Sequence, residues 1–581
     1  MQTIRSETNA PTAVKFESSS GILEPREKPS SPVWLVSGAI VVLVAYSLPF
    51  LINHLRHGPF LNVAVEDEKI YLARVVDVYR GGSLGNPYLA EHQNAERFMP
   101  EVAERLLAFT ARVAGLDPLF VVGASRVILP FLIYLLLWNI ARSLGMEPRF
   151  ATLAAMLPPL GPSISWIGSV EPPGTGFFRY FRSISPAFYV VLLMLTLCLV
   201  QFAWKKGRWW AGLLSGVGLG LLFYITPVYY WSFAIAGVIF MALFAAGRVR
   251  ANMQAAIAAA SIVSVPFLVK ALHQKHVPEV QQTLARLDLL IPGRLLDIYV
   301  FRTFVLSVVV LVPIWLWRHK LGDTGRFVLP FMCAGTLLMV QNVLTNRHLQ
   351  GYHWVECLIP VWSLAFVAFF QRFAQSVRPV YFTAFFVAVV VGAFVLQTIA
   401  YLRLEESRKE DAEFWVLDAR MPQTLEWLNL HTPPGSIVIA SADVMDSLVL
   451  YTHNKVYWAD YASQHVMLDS EVQARTESLE SWHPGSGAGL PFATDFYLGT
   501  GSVCVALPTE RFLYSNESEG TCVLSTRVVS EGIFQELDNR FCCLPAQMYV
   551  QYLRPLADLF LGAISLDLGD TTQRSESRSF G

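Results

Sequence analysis

Apolar residues come in blocks about twenty long, separated by short polar connections, from near residue 33 to near residue 400. A helix of that length crosses a hydrocarbon core of ~30 Å. The pattern predicts about eleven membrane-spanning helices, over 33–52, 119–141, 150–167, 186–203, 209–225, 228–244, 255–272, 304–317, 327–343, 354–370 and 380–400. From about residue 404 the blocks give way to mixed positions punctuated by turn residues, the texture of a water-soluble α/β domain over 404–568. Within it, PQTLEWLNLHTPPGSIVIAS predicts a helix ending near Asn429, a Pro-Pro-Gly turn and a strand over 437–440. Further strands are expected over 455–458, 502–506 and 521–524. Residues 1–31 and 569–581 are too polar to bury a core and are expected to be disordered tails.

Composition agrees with the pattern: 54% of residues are hydrophobic, 15% are charged, and the mean hydropathy is +0.43. With 44 Lys+Arg against 45 Asp+Glu the net charge is -1, which offers no basic field for a nucleic-acid partner. Placement of charge carries more. Every second short connection is basic, at Arg142 and Arg149; at Lys205, Lys206 and Arg208; at Arg248 and Arg250; at Arg318, Lys320 and Arg326; and at Arg372 and Arg378. The positive-inside rule puts these connections in the cytoplasm, with the N-terminal Lys15, Arg26 and Lys28. The first loop over 53–118, the loop over 169–185, the segment over 273–297, the NRHLQGYH turn and the C-terminal domain then share the extracytoplasmic side. The first apolar block lacks a small-residue cleavage site and is longer than a signal-peptide core, so a retained anchor is expected. An integral protein of a bacterial inner (plasma) membrane fits these features. Cys198, Cys333 and Cys357 fall in apolar blocks, whereas Cys504, Cys522, Cys542 and Cys543 lie in the C-terminal domain. An oxidising compartment would permit a disulfide there, for instance Cys504 with Cys522, and four reduced thiols fit equally well.

Three consecutive acids, Glu66, Asp67 and Glu68, follow the first apolar block by about a dozen residues, and a helix starting there would align Asp67, Tyr71, Arg74 and Val78 on one face. The segment EDEKIYLARVVDVYRGGSLGNPYL resembles the first extracytoplasmic loop of the GT-C superfamily of integral-membrane glycosyltransferases, among them the protein O-mannosyltransferases and the lipid A aminoarabinose transferases. An Asp-Glu pair followed by a Tyr stands at that place in those families, as Asp67, Glu68 and Tyr71 do here. The layout of many spans, enlarged loops on one face and a C-terminal extracytoplasmic domain is similar too. The resemblance implies transfer of a sugar from a polyprenyl-phosphate-linked donor to a lipid, glycan or protein acceptor, with Asp67 and Glu68 as catalytic acids and Tyr71 beside the substrate. Sugar transfer needs a carboxylate that takes the acceptor hydroxyl proton as an oxocarbenium-like centre develops. The same acids would also complement a helix dipole at its start.

A phosphate leaving group needs a cation, and GFFRYFRSISP offers Arg179 and Arg182 on the same side, where snorkelling arginines in an aromatic belt are equally expected. Glu171 in VEPPGTG is a second loop acid. Arg347, His348 and His353 crowd the QNVLTNRHLQGYHW turn, where a carrier phosphate could approach. The two histidines lack the four-residue helical spacing of a paired metal site, so no metal ligands are assigned and no cofactor follows, although a divalent metal stays compatible with the chemistry. Arg126 and Lys270, inside or at the edge of spans, predict an internal polar cavity or a snorkel to the outer face. Gly81-Gly82-Ser83-Leu84-Gly85 fits a nucleophile-elbow pattern but follows a helix, and so reads as a helix stop. Gly212, Gly216 and Gly220, four apart, describe helix packing. Two other classes remain open: a transporter or flippase of lipid-linked glycans, which would favour paired halves, and a glycan polymerase or ligase.

Overall fold

A computed structural model describes residues 32–57, 68–161, 180–287, 289, 291–294, 298–374, 381, 384–395, 398, 421–439, 442–481, 503–507, 511–516 and 521–526. The expected tails, Glu66, Asp67, Glu171, Arg179, Cys542, Cys543 and the boundaries at 404 and 568 lie outside these residues.

Among the described residues the predicted apolar blocks are largely helical. Chain order runs α1 (Pro32–His57), α2 (Glu68–Tyr79), α3 (Val102–Ala114), α4 (Pro118–Ser143), α5 (Pro148–Leu160), a π-turn over Ser183–Phe188 and α6 (Tyr189–Lys206). It continues with α7 (Trp209–Ile225), α8 (Val228–Phe244), α9 (Gly247–Gln274), α10 (Pro278–Arg286), α11 (Ile298–Trp317), α12 (Gly322–Met339), the short α13 (Gln341–Thr345) and α14 (Tyr352–Ala374), followed by an apolar helix, α15 (Ala384–Val395). Among the described residues six helices are long and apolar enough to cross a membrane: Pro32–Ile52, Pro118–Ser143, Ser183–Lys206, Gly247–Gln274, Val300–Trp317 and His353–Ala374. The other expected spans are helical but shorter, less apolar or only partly among the described residues. The span expected over 327–343 is displaced: α12 starts at Gly322, whose φ of +60 favours glycine, and stops at Met339 before the separate α13.

Large apolar side chains point outward along these helices, with Val33, Val309, Leu316 and Ile262 each 60% exposed or more. Water does not tolerate so much outward apolar surface, whereas lipid does. Inside, the helices close on small residues. A Cβ placed on Gly216 of α7 would lie 2.4 Å from the Ala256 carbonyl oxygen of α9, and one on Gly212 would lie 2.6 Å from that of Asn252. The four-residue glycine stripe therefore brings two backbones together, as its spacing predicts.

In the C-terminal domain α16 (Met421–His431), α17 (Ala442–Tyr451) and α18 (Asp469–Ser481) accompany a five-stranded sheet. Its strands are β3 (Ile437–Ile439), β4 (Lys455–Val456), β5 (Val503–Leu507), β6 (Arg511–Asn516) and β7 (Thr521–Thr526), in the order β4-β3-β5-β6-β7. Only the β3–β4 pair is parallel, and the sequence reading lacked β6. That strand also corrects the suggested Cys504–Cys522 bridge. Cys504 lies on β5 and Cys522 on β7, with β6 between them. Two strand spacings of ~4.8 Å exceed the reach of a disulfide.

Candidate functional site

The first loop forms α2 at the junction between the helices and the C-terminal domain. Its sequence EKIYLARVVDVY is apolar on most sides, and Ile70, Leu72, Ala73, Val75, Val76 and Val78 are all buried. Such a helix belongs inside a protein. Glu68, Arg74 and Asp77 are buried with it, and each meets an opposite charge on a different element.

Glu68, in the first turn, is 1% exposed, and Arg126 of α4, fully buried, donates from Nη2 to Glu68 Oε2 at 2.8 Å. The Ser183 backbone N–H reaches Glu68 Oε1 at 3.3 Å, and the Ser183 hydroxyl donates to the Val122 carbonyl at 3.0 Å. The Arg126 guanidinium also lies 5.2 Å from the centre of the Phe181 ring. Its Nε and Nη1 are buried and meet no acceptor among the described residues. Burying an arginine with two idle donors costs several kilocalories per mole, on the order of 1–3 per donor. Arg74, two turns on, sets Nε 2.7 Å from Glu104 Oε1 of α3 and donates from Nη2 to the Pro100 carbonyl at 2.9 Å. The Nε contact is close but poorly aligned, so it counts as an ion pair rather than a hydrogen bond. Burial pushes the Glu104 carboxyl up, with the Arg74 charge opposing. Asp77 pairs with Lys455 of the C-terminal domain at 3.1 Å.

A second polar group lies across the helix layer. Tyr189, at the start of α6, is an electrostatic neighbour of Glu104, Tyr71 and Arg74, and its ring is 5.5 Å from that of Tyr230. The Tyr230 hydroxyl donates to Glu356 Oε2 at 2.8 Å, and His353 Nδ1 lies 3.4 Å from the same oxygen. The Tyr229 and His353 rings lie 4.5 Å apart, tilted by 36°. Glu356 and Glu104 escaped the sequence reading. Glu356 carried a signal, since an acid inside an apolar span is costly enough to ask for a role.

The predicted residues thus divide. Glu68 and the 180–183 segment come together through Ser183, whose sequence neighbour Arg182 is half-buried. Tyr71 is half-buried on α2. Glu68 stands in the first turn of α2, as a helix-start charge would, and is buried there against Arg126. Arg126 fulfils the expectation of an internal polar site, whereas Lys270 is exposed near the end of α9. His353 belongs to the Glu356 group. Arg347 is exposed on the two-residue β2 (Arg347–His348), which pairs with β1 (Ile291–Pro292). The His348 side chain is outside the described residues.

Glu91, His92 and Glu471 have ligand atoms within 4.8 Å of one another. Arg475 pairs with both carboxylates, so its guanidinium already supplies the positive charge there.

Fold and site define a helical integral membrane protein with a buried, charged centre where the first-loop helix meets the spans. No protein-family model matches the chain, and no curated protein matches it. Among solved structures, it is similar to the apo form of the Archaeoglobus fulgidus oligosaccharyltransferase, at 9% sequence identity and a TM-score of 0.43. That match covers 74% of this chain and 65% of the other, so the chain spans less than two thirds of that protein's length.

Proposed function

We propose that the chain is a membrane glycosyltransferase that moves a sugar from a polyprenyl-phosphate-linked donor to an acceptor at the extracytoplasmic face, with Asp67 as base. The observation that carries the reading is the Glu68–Arg126 pair, a buried carboxylate and guanidinium joined at 2.8 Å directly after Asp67 in sequence. Glu68, the next residue in the sequence after Asp67, is held against the spans by Arg126. The two idle Arg126 donors suit an anion, and the departing polyprenyl phosphate, a phosphomonoester, is one. In the step proposed, the acceptor oxygen bonds to the anomeric carbon while the bond from that carbon to phosphate oxygen breaks. The hydroxyl proton passes to Asp67, and the charge on the departing phosphate is met by Arg126, with Arg179, Arg182 or Arg347 as further candidates. Tyr71, Glu171, His348 and His353 are proposed substrate contacts.

The test is transfer from a polyprenyl-phosphate sugar by purified, correctly inserted Asp67→Asn. Turnover should fall by about 10²–10⁴-fold with folding intact. Arg126→Gln should weaken donor binding as well as rate. Full turnover by Asp67→Asn removes the base from the mechanism.

A further inference from the structure

We propose that the end of the bundle carrying the basic connections holds a site for the headgroup of one anionic phospholipid, a phosphodiester without an amine. A cavity of about 770 Å³ opens there between the ends of α6, α8, α9, α11 and α12. That volume lies within the ~300–1,000 Å³ of ordinary small-molecule sites.

Its charge is one-sided. Lys205, Arg318 and Arg326 line it with His319, and Asp323 is the one acid among the lining residues. Lys205 Nζ and Asp323 Oδ2 are 3.8 Å apart with both side chains more than a third exposed, a loose pair that leaves Arg318 and Arg326 without an acid partner among the described residues. The Arg318 guanidinium lies 4.7 Å from the centre of the Trp315 ring and donates once, to the Trp315 carbonyl at 2.7 Å. This fixes the plane of a group that has five N–H donors. Arg326 is exposed and makes no hydrogen bond or ion pair among the described residues. Ala246, which also lines the cavity, precedes α9 and gives it no side-chain cap, so backbone N–H groups at that helix start add positive partial charge.

The other half of the lining identifies a lipid rather than a free anion. Trp204, Met241, Phe244 and Trp315 form an apolar flank, and Phe244 and Trp315 are 46% and 43% exposed on the outer surface of the bundle. A headgroup seated among the cations would run its acyl chains along that flank. A zwitterionic headgroup would bring an ammonium against three cations and be disfavoured. By the positive-inside rule this end is cytoplasmic, where basic pockets between helices meet anionic lipid.

The full-length protein in neutral detergent would be titrated with dioleoyl-phosphatidylglycerol, dioleoyl-phosphatidylcholine or inorganic phosphate, and bound lipid counted by native mass spectrometry. One phosphatidylglycerol should be retained, at least about tenfold more tightly than phosphatidylcholine, and equimolar phosphate should not displace it. Arg318→Gln/Arg326→Gln should lose that preference. Lys206→Gln/Arg208→Gln, in the Lys205 connection but outside the cavity lining, should keep it. Asp323→Asn should tighten binding and decides the matter if the double arginine variant does not fold. Equal binding of the two lipids, displacement by phosphate, equal losses in both double variants, or no gain in Asp323→Asn would each overturn the proposal.

Discussion

At the scale of single residues, the junction between helices and C-terminal domain depends on a histidine that stays neutral. His465 is buried, its Nε2 meets no partner among the described residues, and its ring is 6.0 Å from that of Tyr88. Its pKa falls from 6.5 to about 3, first because burial excludes the charged form and then because Arg74 is near, with a backbone hydrogen bond to Gly85 opposing. The unfolded chain therefore takes up this proton before the folded one. The stability His465 confers is present above the unfolded value of 6.5 and lost as pH falls towards the folded value of about 3. At pH 5 the loss comes to about 2 kcal/mol. Limited proteolysis of the C-terminal domain should accelerate between pH 7.5 and 5 in the wild type and much less in His465→Asn. Equal acceleration in both proteins would assign the acid sensitivity to other groups.

At the scale of elements, α7 and α9 meet along glycines. Gly216→Leu forces a side chain into a space where even a Cβ lies 2.4 Å from a backbone oxygen, so the helices must part. A loss of about 1–3 kcal/mol is expected, read as a lowered Tm of the purified protein. Gly392→Ala, whose added Cβ would meet nothing within 4 Å, should melt like the wild type. This contact was legible in the sequence because a four-residue spacing is a local property of one helix, as were the apolar blocks. The 511–516 strand was not, since its evidence is pairing with strands on both sides, Val505 with Leu513 and Tyr514 with Val523. The site was half legible. An acidic run behind a span marks itself, but Glu68 finds its arginine 58 residues away, a distance no periodicity spans.

At the scale of the whole molecule, α2 joins the helices to the C-terminal domain. Arg80, just past its end, donates to the carbonyls of Val449 and Leu450 at 2.8 and 3.2 Å. Lys455 donates to Asp77 and to the Pro87 carbonyl, and the Val456 N–H donates to the Tyr88 carbonyl at 3.0 Å. Thr283 and Arg286 of α10 hold the His465–Asp469 stretch from the other side. Lys455→Met leaves the buried Asp77 with only Arg80 as a nearby cation, at a cost of about 1–3 kcal/mol. Hydrogen exchange should rise across 442–481 in that variant, and adding Asp77→Asn should restore part of the protection. Unchanged exchange would mean that the backbone bonds alone hold the domain.

The three ion pairs of α2 also differ in when they can form. As the chain is made, Arg126 follows Glu68 by 58 residues and emerges within seconds at ~5–20 residues per second. Lys455 follows Asp77 by 378 residues, a wait of roughly 20 to 75 seconds at the same rate. The Glu68 end of the helix can therefore seat against α4 while most of the bundle is still unmade, and the C-terminal domain arrives last, onto a helix already in place.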